Sequence, residues 1–266
     1  MFVKKVDGRL EEFDGNKIIN TCIRSGISKS QADSVLANVK KKAYDKMTTK
    51  ELLQMILLEI RKYSVASSMK YNLRAALANL SPEGMFFEKY IKRLLEEHDY
   101  SVEWSKIVKG RCVEHEVDLI AKDGKITAMI ECKHHSNHHA FTGLGDAMET
   151  WAKWEDAREN NKFDEAWLVC NTKMSDHAVK YATCKGIKLM CWNYSLGLPK
   201  LIELIDEKKF YPITILESVQ KTDTRRAFEQ NVLTVRDVIN AGQPTLRKIF
   251  GDPKAVLLQA EEILRS

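Results

Sequence analysis

The alternation of apolar and polar positions divides the chain into a helical front, a mixed middle and a short helical end. The first 13 residues predict a small hairpin around Asp7-Gly8, and helices follow up to about residue 79. From residue 82 to about 215, predicted strands alternate with helices, which is typical of a mixed α/β sheet. We therefore predict an α/β (α+β) fold. The predicted domain bounds are 1–80, 81–217 and 218–266.

Short polar signals indicate where the predicted helices begin. Ser28 to Gln31 and Thr48 to Glu51 are capping-box patterns, in which a hydroxyl and a side chain three residues later bond reciprocally to free amides. Ser81-Pro82-Glu83 has proline at a first helical position and marks the start of the middle segment. The remaining predicted elements are helices at about 64–79, 82–97, 143–160 and 175–185 and strands at about 100–107, 113–121, 125–133, 165–171 and 187–192.

Composition narrows the class of protein. Hydrophobic residues make up 44% of the chain, enough to build folded cores, and the formal net charge of +5 permits a polyanionic partner. No apolar run approaches the length of about 18 residues that a membrane span needs, and the first residues lack the apolar core of a signal peptide. The six cysteines form no CxxC pair. We expect reduced thiols in a cytoplasmic protein with no membrane partner.

Charges interrupt two apolar strands of the middle segment. Asp118 lies within Val117–Ala121, and Glu131 and Lys133 end the apolar run that begins at Ile126. Alternate residues of a strand share a face, so Glu131 and Lys133 point the same way, and a hairpin at Asp123-Gly124 can place Asp118 beside them. Two carboxylates and the carbonyl of Cys132 would suit Mg²⁺ or Mn²⁺, with the lysine stabilising charge on a phosphate.

The pattern Asp118…Glu131-Cys132-Lys133 resembles the PD-(D/E)XK nuclease motif in its Mrr-like form. The resemblance covers residues 82 to about 215 and departs from the motif name at Val117, where proline would stand. In this family a further glutamate precedes the sheet, and Glu88 matches that position. The resemblance implies a DNA endonuclease with Glu88, Asp118, Glu131 and Lys133 as catalytic residues, of which Asp118 and Glu131 hold the metal.

Histidines and tryptophans near the motif allow two interpretations each. His134, His135, His138 and His139 could bind a transition metal, or could belong to a loop that contacts phosphate or solvent. Trp151 and Trp154 on the following helix could stack on bases, although their spacing favours the core.

The front segment resembles an ATP-cone, a domain that binds ATP or dATP as an allosteric sensor in ribonucleotide reductases. The resemblance rests on Val3–Glu11, Phe13-Asp14 and Lys17-Ile18 and covers about residues 2–80. It departs from the family pattern at Val6 and Leu53, where polar contacts are usual. The implied nucleotide-binding residues are Val3, Lys5, Glu11, Lys17 and Thr49.

The last segment, from Asn231 to Gly251, resembles a helix-hairpin-helix unit that grips DNA backbones, and a plain helical packing module is the equal alternative. Together these features predict a metal-dependent DNA endonuclease regulated by ATP or dATP and working as a homo-oligomer. The alternative is a nucleotide-responsive DNA-binding regulator without cleavage, although the known design of that type carries a zinc ribbon that this chain lacks. A third possibility is a fragment of ribonucleotide reductase, but the chain is too short for the catalytic barrel of that enzyme and the pattern of the middle segment differs from it.

Overall fold

The computed structural model describes residues 1–5, 8–80, 84–192 and 194–266. Val6, the first residue of the Asp7-Gly8 turn and the whole predicted helix start Ser81-Pro82-Glu83 lie outside the described residues. The elements in chain order are β1 (Phe2–Lys4), β2 (Leu10–Glu12), α1 (Gly15–Arg24), α2 (Lys29–Lys42), β3 (Met47–Thr48), α3 (Thr49–Arg61), α4 (Val65–Tyr71), α5 (Leu73–Ala78), α6 (Gly84–Glu96), β4 (Ser101–Lys109), β5 (Glu114–Lys122), β6 (Thr127–Lys133), β7 (Phe141–Thr142), α7 (Leu144–Asn161), β8 (Glu165–Cys170), β9 (Lys173–Met174), α8 (Asp176–Lys185), β10 (Lys188–Met190), β11 (Ser195–Leu196), α9 (Leu201–Glu207), α10 (Lys221–Glu229), α11 (Val235–Asn240), α12 (Gln243–Phe250) and α13 (Lys254–Arg265).

The chain folds as two compact units. We call residues 1–73, 215–220 and 235–266 the helical unit, and residues 74–214 and 221–234 the sheet unit. The sequence predicted a third domain at 218–266. In the structure, this segment is instead divided between the two units. Among the described residues, no helix is long and apolar enough to cross a membrane.

In the helical unit, β1 pairs antiparallel with β2 and parallel with β3, so the front hairpin becomes one side of a three-stranded sheet. Both predicted capping boxes are present, with Ser28 capping α2 and Thr48 capping α3. The helix predicted at 64–79 is instead two helices, because the backbone leaves helical geometry at Asn72. The core of this unit includes Ile18, Cys22, Val35, Val39, Ile56 and Ile60.

The C-terminal helices α11 to α13 belong to the helical unit and bury an apolar face. Gly251 ends α12 with φ of 71°, a left-handed value that favours glycine. These helices thus contribute to a hydrophobic core, as the packing-module interpretation requires. Their buried apolar residues are Val235, Val238, Leu246, Ile249, Val256, Ala260 and Ile263.

The sheet unit is built on a six-stranded mixed sheet in the order β11-β10-β8-β6-β5-β4, and the short strands β7 and β9 form a parallel pair beside it. The strands β4, β5 and β6 are antiparallel neighbours, whereas β6, β8 and β10 run parallel. The predicted α/β (α+β) class is confirmed. Helix α7 packs on the sheet through Ala147, Trp154 and Ala157, so the two neighbouring tryptophans belong with the core.

A buried glutamate joins two helices of the helical unit. Glu59 on α3 is 2% exposed and accepts hydrogen bonds from Lys42 of α2 at 2.7 Å and Lys62 at 2.6 Å, and from Asn38 at 3.2 Å. These bonds to charged donors lower the pKa of Glu59 to about 2 despite its burial. The ionised carboxylate is therefore stabilised by Lys62 at the end of its own helix and by Lys42 when α2 packs against α3.

We expect Glu59→Gln to lower the free energy of unfolding by about 1–2 kcal/mol at neutral pH, since charge-assisted bonds are replaced by neutral ones. A carboxylate with a lowered pKa stabilises the fold above its unfolded pKa of about 4.3, and this contribution disappears as pH falls towards the folded value. Urea titrations between pH 7 and pH about 2 would measure both effects. Glu262→Gln, an exposed position on α13, is the matched control, and an equal loss in both variants would contradict the prediction.

Candidate active site

The hairpin of β5 and β6 places the predicted acidic residues side by side. Its ladder pairs Leu119 with Ile130, and the next step along this register would set Asp118 opposite Glu131. The ladder ends at this step, and the Asp118 carboxylate accepts the backbone N–H of Cys132 at 2.7 Å. The Asp118 carboxylate therefore accepts a hydrogen bond that a backbone carbonyl would accept in a regular ladder. This bond fixes the carboxylate against β6.

Strand β4, the other neighbour of β5, also departs from regular pairing at the position opposite Asp118. In β4, Trp104 pairs with Leu119 and Lys106 with Val117, while Ser105 between them has a left-handed φ of 49°. Its hydroxyl donates to Glu116 at 3.0 Å. A non-glycine residue in this conformation is strained, so the fold maintains a distorted backbone directly beside Asp118.

Burial governs the ionisation of the two motif carboxylates. Glu131 is 1% exposed, and burial, followed by repulsion from Asp118, raises its pKa to about 7 against the opposing effect of Lys153. Burial also raises the pKa of Asp118, although the Cys132 amide and two lysines oppose it. The lysines therefore do not fully compensate the negative charge of Asp118 and Glu131.

Two lysines meet these carboxylates, and one of them is outside the motif. Lys133 donates to Glu149 at 2.9 Å and lies 3.8 Å from Glu131. Lys153 donates to both oxygens of Glu131, at 3.0 and 2.9 Å. Sequence reasoning missed Glu149 and Lys153, because an acid and a lysine four residues apart on a helix are usually a solvated surface pair.

Glu88 reaches the same group of carboxylates from α6. It accepts a hydrogen bond from the indole N–H of Trp104 at 3.0 Å. Burial raises the pKa of Glu88, and the nearby charges of Asp118 and Glu116 raise it further. The structure thus brings together all four residues that the nuclease resemblance implied, Glu88, Asp118, Glu131 and Lys133, and adds Glu116, Glu149 and Lys153.

Helix α7 also holds the loop that joins β4 to β5. The Asp156 carboxylate accepts the backbone N–H of Cys112 at 2.8 Å and lies 2.8 Å from Nε2 of His115. Hydrogen bonds from the loop lower the pKa of Asp156. Glu149, Lys153 and Asp156 recur at helical spacing, so one helix both contacts the motif and fixes the strands that carry it.

The donor set fits a divalent cation. Among the described residues, no group of three or more His, Cys, Asp or Glu side chains could hold a metal ion. A metal held by Asp118 and Glu131 would therefore need oxygen ligands from the backbone, water or phosphate, which suits Mg²⁺ because it usually keeps several waters. The incompletely compensated charge of the buried Glu131 and the half-buried Asp118 is the observation that favours such an ion.

The histidine loop is held by protein groups. His134 Nε2 lies 3.0 Å from the carbonyl of Leu77, and His135 Nε2 lies 3.2 Å from the Thr142 hydroxyl. Burial lowers the pKa of His138 to about 4, so this ring is neutral at physiological pH. These contacts favour the interpretation as a structured loop over that as a transition-metal site.

Two of the predicted nucleotide residues, Lys5 and Lys17, contact a third, Glu11, in the helical unit. Glu11 pairs with Lys5 at 3.1 Å and with Lys17 at 2.9 Å, and the hydrogen bond from Lys17 is the main cause that lowers the pKa of Glu11 to about 2. Val3 is buried, and Thr49 is the first residue of α3. The two lysines are thus close together, with their charge partly balanced by Glu11.

Comparison with known proteins gives both a family and a domain. Residues 78–194 match the family model Mrr_cat, described as restriction endonuclease. An uncharacterized protein of Archaeoglobus fulgidus is 42% identical over 177 residues, which is 65% of this chain and 98% of that protein. A second uncharacterized protein of this organism is 51% identical over 39 residues, 15% of this chain and 83% of that protein. The crystal structure of a protein of unknown function aligns with a TM-score of 0.58 at 37% identity, covering 69% of this chain and 97% of that one.

The strained backbone beside Asp118 gives a stability prediction. Ser105→Gly removes the left-handed strain and the hydroxyl bond to Glu116, whereas Ser105→Ala removes only the bond. We expect the glycine variant to be more stable than the alanine variant by about 1 kcal/mol, the lower end of the cost of this conformation. Parallel urea titrations would measure the difference. Equal stability, or a more stable alanine variant, would show that Ser105 is unstrained.

Proposed function

We propose that this chain, which belongs to the family of the Archaeoglobus fulgidus protein and carries a restriction endonuclease domain at residues 78–194, is a metal-dependent DNA endonuclease. The observation that carries this proposal is the pair of adjacent carboxylates, the buried Glu131 and the half-buried Asp118, with two lysine ammonium groups within 4 Å of Glu131. Burying two acids together is costly unless cations offset them. A divalent ion and a phosphate would complete such a site.

In this proposal, Asp118 and Glu131 bind Mg²⁺ or Mn²⁺. Bound there, the ion supplies Lewis-acid polarisation of the phosphate and a water ligand of lowered pKa. The backbone N–H of Cys132 orients the Asp118 carboxylate, so one ligand is fixed before the ion arrives.

Lys133 stabilises the negative charge that develops on the phosphate as water attacks. Its side chain is 24% exposed and its ammonium group lies between Glu149 and Glu131, which places a charge at the edge of the site where a DNA backbone could meet it. Glu149 and Glu131 also raise the pKa of Lys133 against the effect of burial, so the group stays protonated. Glu88 is a carboxyl of raised pKa in the same cluster and would orient water or a metal-bound water.

The alternative function, a DNA-binding regulator without cleavage, requires DNA affinity but no chemistry at these residues. The clustering of four acids, Glu88, Glu116, Asp118 and the buried Glu131, favours cleavage because a binding surface for DNA would not gather negative charge. A cleavage assay separates the two functions directly.

We expect Asp118→Asn and Glu131→Gln to abolish cleavage of DNA in the presence of Mn²⁺, because each removes a charged metal ligand. Lys133→Met should reduce the cleavage rate by at least about 10²-fold, the scale for one preorganised charge-stabilising group. Rates on supercoiled and linear DNA, with DNA binding measured separately, would test this.

The matched control is Lys125→Met, which removes one exposed charge from the β5–β6 turn. It should cleave at the wild-type rate. Undiminished cleavage by Asp118→Asn or Glu131→Gln would contradict the proposed metal ligands, and DNA binding without cleavage by the wild-type protein would favour the regulator.

We further propose that the helical unit binds ATP or dATP through Lys5 and Lys17 and that nucleotide changes the assembly of a homo-oligomer. The convergence of both lysines on Glu11 supports an anion site, since a triphosphate bound with Mg²⁺ could replace that carboxylate. Two-fold assembly would also bring two single-strand cutting sites to one duplex.

Calorimetry on the full chain should show micromolar nucleotide affinity, on the order of −8 kcal/mol, and light scattering should show a change in mass when nucleotide is added. The double variant Lys5→Ala, Lys17→Ala should lose both effects, while Lys29→Ala, Lys41→Ala serves as a control of equal charge. No heat with the wild-type protein would contradict nucleotide binding.

A further inference from the structure

The cation that contacts the motif glutamate comes from α7 and not from the motif. Lys153 Nζ lies 3.0 and 2.9 Å from the two oxygens of Glu131, whereas Lys133 Nζ lies 3.8 Å from one of them. Both carboxylate oxygens are thus engaged by one ammonium group. Any second cation that binds Glu131 directly has to compete with Lys153 for those oxygens.

Burial makes this competition strong. Glu131 is 1% exposed and the Lys153 side chain 23% exposed, so water screens their attraction only partly. The same weak screening means that a divalent ion on Glu131 and an ammonium group less than 4 Å away would repel each other. A metal and Lys153 therefore cannot both keep their full contact with this carboxylate.

Lys153 has other acceptors close by. Its ammonium lies 3.3 Å from the backbone carbonyl of Glu116 and 3.7 Å from Glu149, whose side chain is 49% exposed. A small rotation of the side chain would move the charge from Glu131 towards Glu149 without leaving it unpaired. The helix thus offers Lys153 a second position.

We propose that Lys153 is an internal counter-ion that occupies the cation position on Glu131 and must leave it before a divalent metal binds. It is a positioning residue that sets metal affinity and neutralises a buried acid while the metal is absent. This inference rests on the proposed function, because it concerns the same Glu131 that would hold the ion.

The test is calorimetric titration of the full-length, chelator-treated protein with Mn²⁺ alone, in the absence of DNA. Lys153→Met should bind Mn²⁺ at least about fivefold more tightly than the wild-type protein, the lower end of usual coupling between two ligands of one site. Lys125→Met, which loses the same charge away from the site, should bind as the wild type does. Unchanged or weaker binding by Lys153→Met would overturn the proposal.

A second measurement covers the case in which Lys153→Met is poorly folded without metal. Its melting temperature in chelator should be lower than that of the wild type, and saturating Mn²⁺ should raise it by more, because binding to the folded state stabilises that state. Lys153→Arg keeps the charge and should bind Mn²⁺ no more tightly than the wild type. An arginine variant that binds Mn²⁺ as tightly as the methionine variant would overturn the proposal.

The two proposals fail in different ways. Equal Mn²⁺ affinity in the wild type and Lys153→Met, with DNA still cleaved, overturns the counter-ion and leaves the nuclease. Tighter binding by Lys153→Met that Glu131→Gln removes supports the counter-ion, even if no DNA is cut.

Discussion

The stability of the sheet unit depends on how the charge of the Glu131 carboxylate, buried within an apolar sheet, is offset. A buried acid destabilises a fold unless its charge is offset, and removing one partner of such a pair is much more costly than never having made it. Lys153 offsets the charge at 2.9–3.0 Å, and Lys133 approaches the same group from its own strand. The packing of α7 on the sheet therefore decides whether Lys153 can offset the charge of Glu131 on β6.

Helix α7 carries three kinds of residue that act together at this contact with the sheet. Ala147, Trp154 and Ala157 pack in the core, Glu149 and Lys153 face the motif, and Asp156 accepts hydrogen bonds from the loop between β4 and β5. Each group supports the others, because a helix that shifted to improve one contact would weaken the rest.

The arrangement of charge is the property most relevant to function. Carboxylates gather around the paired strands β5 and β6, and ammonium groups meet them from β6 and α7. If the proposed nuclease function holds, this excess of acid would repel a DNA backbone until a divalent ion offsets it, and DNA binding and metal binding would be interdependent.

The sequence alone determined the motif and most of the longer elements, because these depend on neighbours along the chain, although the single helix predicted at 64–79 is two helices in the structure. Alternating apolar positions predicted β5 and β6, Asp123 and Gly124 their turn, and Ser28 and Thr48 their helix starts. Only the tertiary structure decided which lysine contacts Glu131, that Ser105 adopts a left-handed conformation, and that α11 to α13 pack with the front of the chain. Contacts between distant segments are set by the packing of whole faces, and Lys153, an ordinary helical lysine in sequence, acquires its partner only when α7 meets the sheet.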